Sequence, residues 1–412
     1  MPKLRELSVV VTSSQSSVFF SGQVVQGHVV VDLEESMRMR GLRVHMSGRA
    51  DVHWSERHTT GSGKNRRSHT RHYRSHEVYL NQIIVLYGKA PDQGGDNPEH
   101  PAGRYTYPFQ FQIPSTAPSS FEGGIGKVRY HIAAVIDKPW KFDDKSVVAI
   151  TVVNLLDLNR EPQTMLGIHG ENSKTLCCLC CESGPITASF KLNRQGYVPG
   201  EHIPCFAEIC NNANKKMDNS FIKLVQVILF KACRKTRRVV RELQRLRKGE
   251  IPPGGTETWS GETIRLPSIP PSRLQGCNII DIEYYIVLVV DPSGLSFDLT
   301  VALEIIVGSI PHWSIAQQYN PQAAPSAPMP QGGQDTDPPP IAFPDCMPPP
   351  SYAECVGGKV NIRGTENWEH TRGNEEYSPQ YPYYDWGTPY NPEGVMVEGY
   401  RPQPLPAEES TE

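Results

Sequence analysis

With 412 residues and a formal net charge of −3, the chain exceeds one ordinary domain, and its length favours two or three. It holds no run of about eighteen apolar residues that could span a bilayer as a helix. The opening MPKLRELSVVVTSSQ lacks the long apolar core of a secretory signal, so the ten cysteines are expected as reduced thiols in the cytosol.

In chain order, Gly22-Gln23-Val24-Val25 leads into a first clear strand. The polar stretch 52–76 follows, holding His53, His58, His69, His72 and His76 among arginines and serines. It is expected to be a long inserted loop with mobile histidines, since their spacing fits no standard zinc pattern. Period-two alternation then places Tyr105, Tyr107, Phe109, Phe111 and Ile113 on one strand face, and Thr106, Gln110 and Gln112 on the other. Val128, Tyr130, Ile132, Ala134 and Ile136 repeat the pattern, as do Ile203, Cys205, Ala207 and Ile209. Residues 237–248 (R-R-V-V-R-E-L-Q-R-L-R-K) read as a helix, with Val239, Leu243 and Leu246 on the face toward the body. Runs 279–290 and 301–307 are more continuously apolar, as in strands covered on both sides. Many strands separated by Gly/Pro turns predict an all-β chain of antiparallel sandwiches.

The chain also repeats itself. P-S-T-A-P-S-S-F-E-G (114–123) matches P-S-I-P-P-S-R-L-Q-G (267–276), and each precedes a similar strand, V-R-Y-H-I (128–132) and I-E-Y-Y-I (282–286). Gly22-Gln23-Val24-Val25 corresponds likewise to Gly200-Glu201-His202-Ile203. A unit of this size is a domain and not a solenoid repeat. The expected organisation is a sandwich at 5–158, a joint near 158–186, a second sandwich at 183–310, and a disordered proline-rich acidic tail at 311–412.

Charge divides the same way. Residues 310–412 carry four basic and fourteen acidic residues, a net of −10, which leaves +7 on residues 1–309. A basic body points to an anionic partner. Arg234, Lys235, Arg237, Arg238, Arg241 and Arg245 form the densest basic run. Such a run is ordinarily a solvated surface, yet each basic group near an anionic membrane contributes about 1 kcal/mol. Docking onto acidic lipid or phosphorylated cytoplasmic tails is the functional alternative. Nucleic acid is not expected, because no aromatic platform interleaves with the charges.

Cys177, Cys178, Cys180 and Cys181 spell C-C-L-C-C. Structural zinc usually draws on two separated pairs, so no metal is expected there. A conformational role at the joint, lipid attachment and redox sensitivity remain open. Gly123-Gly124-Ile125-Gly126-Lys127 lacks the rest of a phosphate loop. With no nucleophile elbow, H-E-x-x-H or kinase signature, neither catalysis nor a cofactor is expected.

The tail supplies the sharpest motif, Pro348-Pro349-Pro350-Ser351-Tyr352. Its prolines hold the backbone near polyproline II, which lowers the ordering entropy lost on docking, and Tyr352 fixes register. WW domains read this P-P-x-Y shape through Pro349, Pro350 and Tyr352. Ser378-Pro379-Gln380-Tyr381 lacks the first proline and makes Pro379 and Tyr381 a weaker second candidate. Pro325-Ser326-Ala327-Pro328 is either a solvated linker or a short motif similar to the late-domain peptide that binds ESCRT-I.

The tandem sandwiches, the segments 109–123 (F-Q-F-Q-I-P-S-T-A-P-S-S-F-E-G), 196–201 (G-Y-V-P-G-E) and 348–352, and their order resemble an α-arrestin, an arrestin domain-containing protein. The resemblance covers about residues 5–310 plus the P-P-x-Y tail. It implies a non-catalytic trafficking adaptor whose Pro349, Pro350 and Tyr352 recruit a WW-domain ubiquitin ligase of the HECT type to a transmembrane receptor or transporter. It also implies residence in the cytoplasm, peripheral to plasma membrane and endosomes. A sorting or budding adaptor that engages ESCRT-I through Pro325–Pro328 is the alternative. One branch of the family inhibits thioredoxin through a cysteine just before a tryptophan. The matching stretch here, Gly255-Thr256-Glu257-Thr258-Trp259, has none. No clathrin box is recognisable in the tail.

Overall fold

The computed structural model describes residues 4–14, 16–60, 66–90, 93–178, 181–294, 296–319, 351–362, 371–372 and 376–386. The chain is all-β, built as two β-sandwiches in tandem. In the first, strands Leu4–Val11, Val24–Leu33 and Gly103–Gln112 form an antiparallel sheet. It packs on a larger sheet ordered Val18–Phe20, Asp144–Val153, Gly126–Asp137, Gly41–Thr60 and Arg67–Gly88. In the second, Ile168–Cys178, Cys181–Leu192, His202–Asn211 and Thr256–Arg265 pack on Gly196–Tyr197, Leu299–Val307, Ile280–Pro292, Met217–Ala232 and Lys235–Arg247. The two larger sheets share one topology. In each, a short strand runs parallel to the last long strand, and a long hairpin forms the far edge.

Alternation sets the burial. Phe109 and Phe111 point into the core while Gln110 and Gln112 stay exposed. Val128, Tyr130, Ile132, Ala134 and Ile136 are fully enclosed, as are Ile203, Cys205 and Ile209. The inward faces of both sandwiches join one continuous apolar cluster, so the domains share core across their seam.

Three expectations are corrected. Residues 237–248 form a strand, not a helix: Lys235–Arg247 pairs antiparallel with Met217–Ala232. Val239, Leu243 and Leu246 do pack against the core. A bulge between the pairs Leu224↔Gln244 and Val225↔Glu242 switches the inward face from odd to even positions, and so mimics helical spacing. The stretch 52–76 is the outer half of a hairpin, paired from Val52↔Ser75 out to Thr60↔Arg67, with residues 61–65 outside the described set. Trp54 and Tyr73, both buried, stack across it at 5.1 Å. The histidines lie on these strands; His53 stacks on His72 and His58 on His69.

The joint is also shorter than 158–186, because Ile168–Cys178 is already a strand of the second sandwich. The connection itself is two short 3-10 turns, Leu158–Arg160 and Pro162–Met165. The Asn159 amide donates to Pro311 O (2.9 Å), and its Oδ1 accepts from Trp313 N (3.0 Å), which ties the joint to the exit of the second domain. The cysteine cluster falls at the turn of a hairpin, with Cys177 opposite Glu182 and Cys178 opposite Cys181; Cys180 lies outside the described residues.

Candidate functional site: the interdomain seam and the tail

The two copies of the proline-serine turn become equivalent struts. In the first, the Tyr130 hydroxyl donates to Pro118 O (2.7 Å), and the Ser120 hydroxyl accepts from Val152 N (2.9 Å). In the second, the Tyr284 hydroxyl donates to Pro270 O (2.8 Å), and Ser272 accepts from Val307 N (2.9 Å). Each turn is thus riveted to the central and last strands of its own sheet. Buried hydroxyls and amides demand such partners, which explains why serine and tyrosine recur at those spacings.

The two turns meet at the seam. Gly276, with φ +90°, lies against Thr116 O, and a Cβ there would overlap that oxygen. Each long hairpin reaches the opposite turn. Phe230 packs against Phe121 (6.4 Å between centroids) and over Gly126. The Glu77 carboxylate accepts from Asn278 N at 3.0 Å. At the hairpin tips, Lys235 pairs with Glu56 and lies over the Tyr73 ring, and the Cys233 thiol approaches Arg74 O at 3.6 Å.

The seam also receives the tail. Strand Ser351–Glu354 pairs antiparallel with Gln380–Tyr383, with Tyr352 opposite Pro382. The Tyr381 hydroxyl donates to Ser120 O (2.7 Å), in the first domain's turn, and its ring is buried with Val18, Phe20 and Val153. The Ser268 hydroxyl, in the second domain's turn, donates to Ala353 O (3.0 Å). The Tyr384 hydroxyl donates to Ser309 O (2.8 Å), and its amide donates to Pro199 O (3.1 Å). Tyr384 and Trp386 complete an apolar cluster with Leu156, Leu158, Val198, Ile306 and Ala316. Burial holds the Tyr381 phenol well above its ordinary range, so it stays a donor at any physiological pH. Composition predicts disorder for 311–412. Within it, Trp313–Tyr319 forms a short helix, Ser351–Glu354 pairs with Gln380–Tyr383, and Tyr377, Tyr381, Tyr384 and Trp386 are buried against the body.

Pro349, Pro350, Pro325, Ser326, Ala327 and Pro328 lie outside the described residues, as does the Tyr352 side chain. Pro379 and Tyr381 are buried, which takes the weaker candidate motif off the surface in this conformation. Arg234, Lys235, Arg237, Arg238 and Arg245 are exposed, and Arg241 is partly covered. Arg245 is bidentate to Glu242 (2.6 and 2.7 Å) and stacks on Phe221, so the freest guanidinium surface lies at Arg234, Arg237 and Arg238. Among the described residues no three His, Cys, Asp or Glu side chains converge as metal ligands.

Sequence reasoning missed Gly200, Tyr384 and Trp386. Gly200 has φ +98°, and a Cβ there would overlap Tyr384 O, so only glycine permits the tail to approach. Beside it, the Glu201 carboxylate is fully buried and paired with Arg194, which stacks on Tyr197 at 4.1 Å. Burial raises the Glu201 pKa. The available signal was the aromatic density of Y-S-P-Q-Y-P-Y-Y-D-W (377–386), unusual for a solvated tail.

Residues 8–159 match the family "Arrestin (or S-antigen), N-terminal domain", and residues 182–312 match the corresponding C-terminal domain. Arrestin domain-containing protein 17 of Caenorhabditis elegans is 32% identical over 342 residues, covering 79% of this chain and 76% of the relative. Arrestin domain-containing protein 4 of Mus musculus is 30% identical over 315 residues, 75% and 73% of the two chains. The human thioredoxin-interacting protein is 26% identical over 301 residues, 73% of each. With both arrestin domains matched in order and a repeated sandwich that accounts for them, the chain belongs to the α-arrestin family.

Proposed function

We propose that this α-arrestin is a non-catalytic adaptor that brings a WW-domain ubiquitin ligase of the HECT type to a membrane protein through Pro349, Pro350 and Tyr352. The carrying observation is the attachment of that motif. P-P-P-S-Y runs directly into strand Ser351–Glu354, which is tied to the body by Ser268 and by pairing with Gln380–Tyr383. Once that strand is lifted, a ligase on the motif would still be covalently tethered beside whatever the two sandwiches hold, so transfer to a cargo lysine would gain from effective concentration alone. The exposed guanidinium groups of Arg234, Arg237 and Arg238 suit an anionic membrane face or a phosphorylated cargo tail. Uptake and endosomal sorting of the modified cargo would follow.

The test is a titration of a HECT-ligase WW domain against the full chain and Tyr352→Ala. Binding that disappears in the variant supports the reading. Equal binding by both, or by neither the chain nor its 345–356 peptide, overturns it. Loss of ESCRT-I binding on Pro328→Ala, with WW binding absent, would favour the budding adaptor.

A further inference from the structure

Segment 376–386 behaves as a ligand of the seam. Its anchors divide between the domains: Tyr377 and Tyr381 donate to Ile150 O and Ser120 O in the first, and Tyr384 donates to Pro199 O and Ser309 O in the second. The groove therefore exists only while both domains are in place. Its fit is built into the backbone, since Gly200 at φ +98° leaves room for the Tyr384 carbonyl that no side chain would allow. The docked segment also pairs with the strand that continues from the ligase motif. Gln380–Tyr383 supplies the pairing partner of Ser351–Glu354, Cys355 N donates to Pro379 O (3.0 Å), and the half-buried Cys355 side chain packs beside Tyr381.

We propose that the interdomain seam is a binding groove for this tyrosine-rich segment, and that its occupancy withholds the Pro349–Tyr352 motif from WW domains. A WW domain grips its peptide as a solvated, extended backbone seated in an aromatic groove. Tyr352 cannot hold that conformation free of its neighbours while residues 351–354 are one edge of a two-stranded sheet laid on the body. Ligase engagement therefore requires the strand to peel away, and its apparent affinity falls by the fraction of molecules already open. Cargo or lipid that shifts one domain against the other would break anchors on one side and release the motif. The inference rests on the adaptor reading for its consequence, but the groove itself is independent of which partner reads the motif.

The experiment uses the full chain. Hydrogen exchange at 351–356 and 380–384 is compared in wild type, Gly200→Ala and Tyr381→Ser/Tyr384→Ser, and a WW domain is titrated against the same three proteins and a 345–356 peptide. Protection in wild type that collapses in both variants is expected, with about tenfold tighter WW binding in the variants, approaching that of the peptide. The double tyrosine variant alters only the tail and keeps the test valid if Gly200→Ala does not fold. Wild type without protection overturns the groove; protected wild type that binds as tightly as the peptide overturns the gating. A peptide that binds no WW domain removes the ligase reading instead, while exchange still decides the groove.

Discussion

Gly276 of the second domain's turn lies against the carbonyl oxygen of Thr116 in the first domain's turn, so the two copies of the repeat touch. The contact leaves no room for a methyl group, and φ at Gly276 is +90°. Gly254 offers a control, with φ +70° and nothing within 4 Å of an added Cβ.

Gly254→Ala should therefore cost only backbone strain, about 1 kcal/mol. Gly276→Ala adds displacement of a neighbouring domain, for a total of about 3 kcal/mol. Thermal unfolding of the two variants checks the difference. Equal losses would mean that the turns do not bear on each other.

The tyrosine struts make a second comparison. Tyr130 and Tyr284 both donate a buried hydrogen bond to a proline carbonyl, but the Tyr284 oxygen also accepts from the Gln226 amide at 3.0 Å. Tyr130→Phe removes one bond, at about 1 kcal/mol. Tyr284→Phe also strands the buried Gln226 amide, and should cost about 2–3 kcal/mol. Denaturant midpoints measure both. A larger loss at Tyr130 would contradict the assignment of partners.

These features differ in how far sequence reveals them. Alternation exposed the strands around Phe109, Ile132 and Cys205, because one face of each meets the core and the other does not. The repeat exposed both turns, and with them Tyr130 and Tyr284. The strand Lys235–Arg247 hid behind arginine, leucine and glutamate, which favour helices when nothing else decides. A bulge at Leu243 then gave it helical spacing. The outer hairpin hid because both its faces are polar beyond Trp54 and Tyr73. Tail docking was least legible. Tyr381, Tyr384 and Trp386 are separated from Ser120, Pro199 and Leu156 by some two hundred residues, and only the assembled seam gives them a place.

His131 sets an acid limit on the first domain. Its pKa is pushed down to about 4, first by burial and then by His45, Arg49 and Arg129. The His45 ring lies 6.4 Å away, and Ile362 of the tail lines the small cavity beside His131. A base with a depressed folded pKa gives stability that is complete above its unfolded value near 6.5, and that is lost as pH falls through the folded value. Stability should decline between pH 6.5 and 4 by about 3 kcal/mol on this account. His131→Gln should flatten that limb of the unfolding profile. An unchanged slope would assign it to other groups.

The Arg194–Glu201 pair, next to Gly200, predicts the opposite sign. Arg194→Ala leaves a fully buried carboxylate without its counter-ion, at about 3–5 kcal/mol near neutral pH. Burial already raises the Glu201 pKa, and loss of the guanidinium raises it further. An acid with a raised folded pKa is favoured in its protonated form below that value, and the advantage disappears as pH rises through it. The deficit of Arg194→Ala against wild type should therefore shrink from pH 7 to pH 5. A deficit that does not change with pH would show that the cost comes from lost stacking on Tyr197.

Exposed basic groups on Lys235–Arg247 divide by what already occupies them. Lys235 is paired with Glu56, and Arg245 with Glu242, so neither has its full charge to offer an external anion. Arg237 and Arg238 are exposed beside them. Replacing both by glutamine should weaken binding to phosphatidylserine vesicles by about 2 kcal/mol, some thirtyfold, since each basic group near such a surface is worth about 1 kcal/mol. Replacing Lys235 and Arg245 should cost less than half as much. Raising salt from about 0.05 to 0.5 M should erase the difference, because the screening length contracts to a few ångströms. Co-sedimentation at the two salt concentrations reads all of this. Binding insensitive to both the substitutions and the salt would place membrane contact elsewhere on the body.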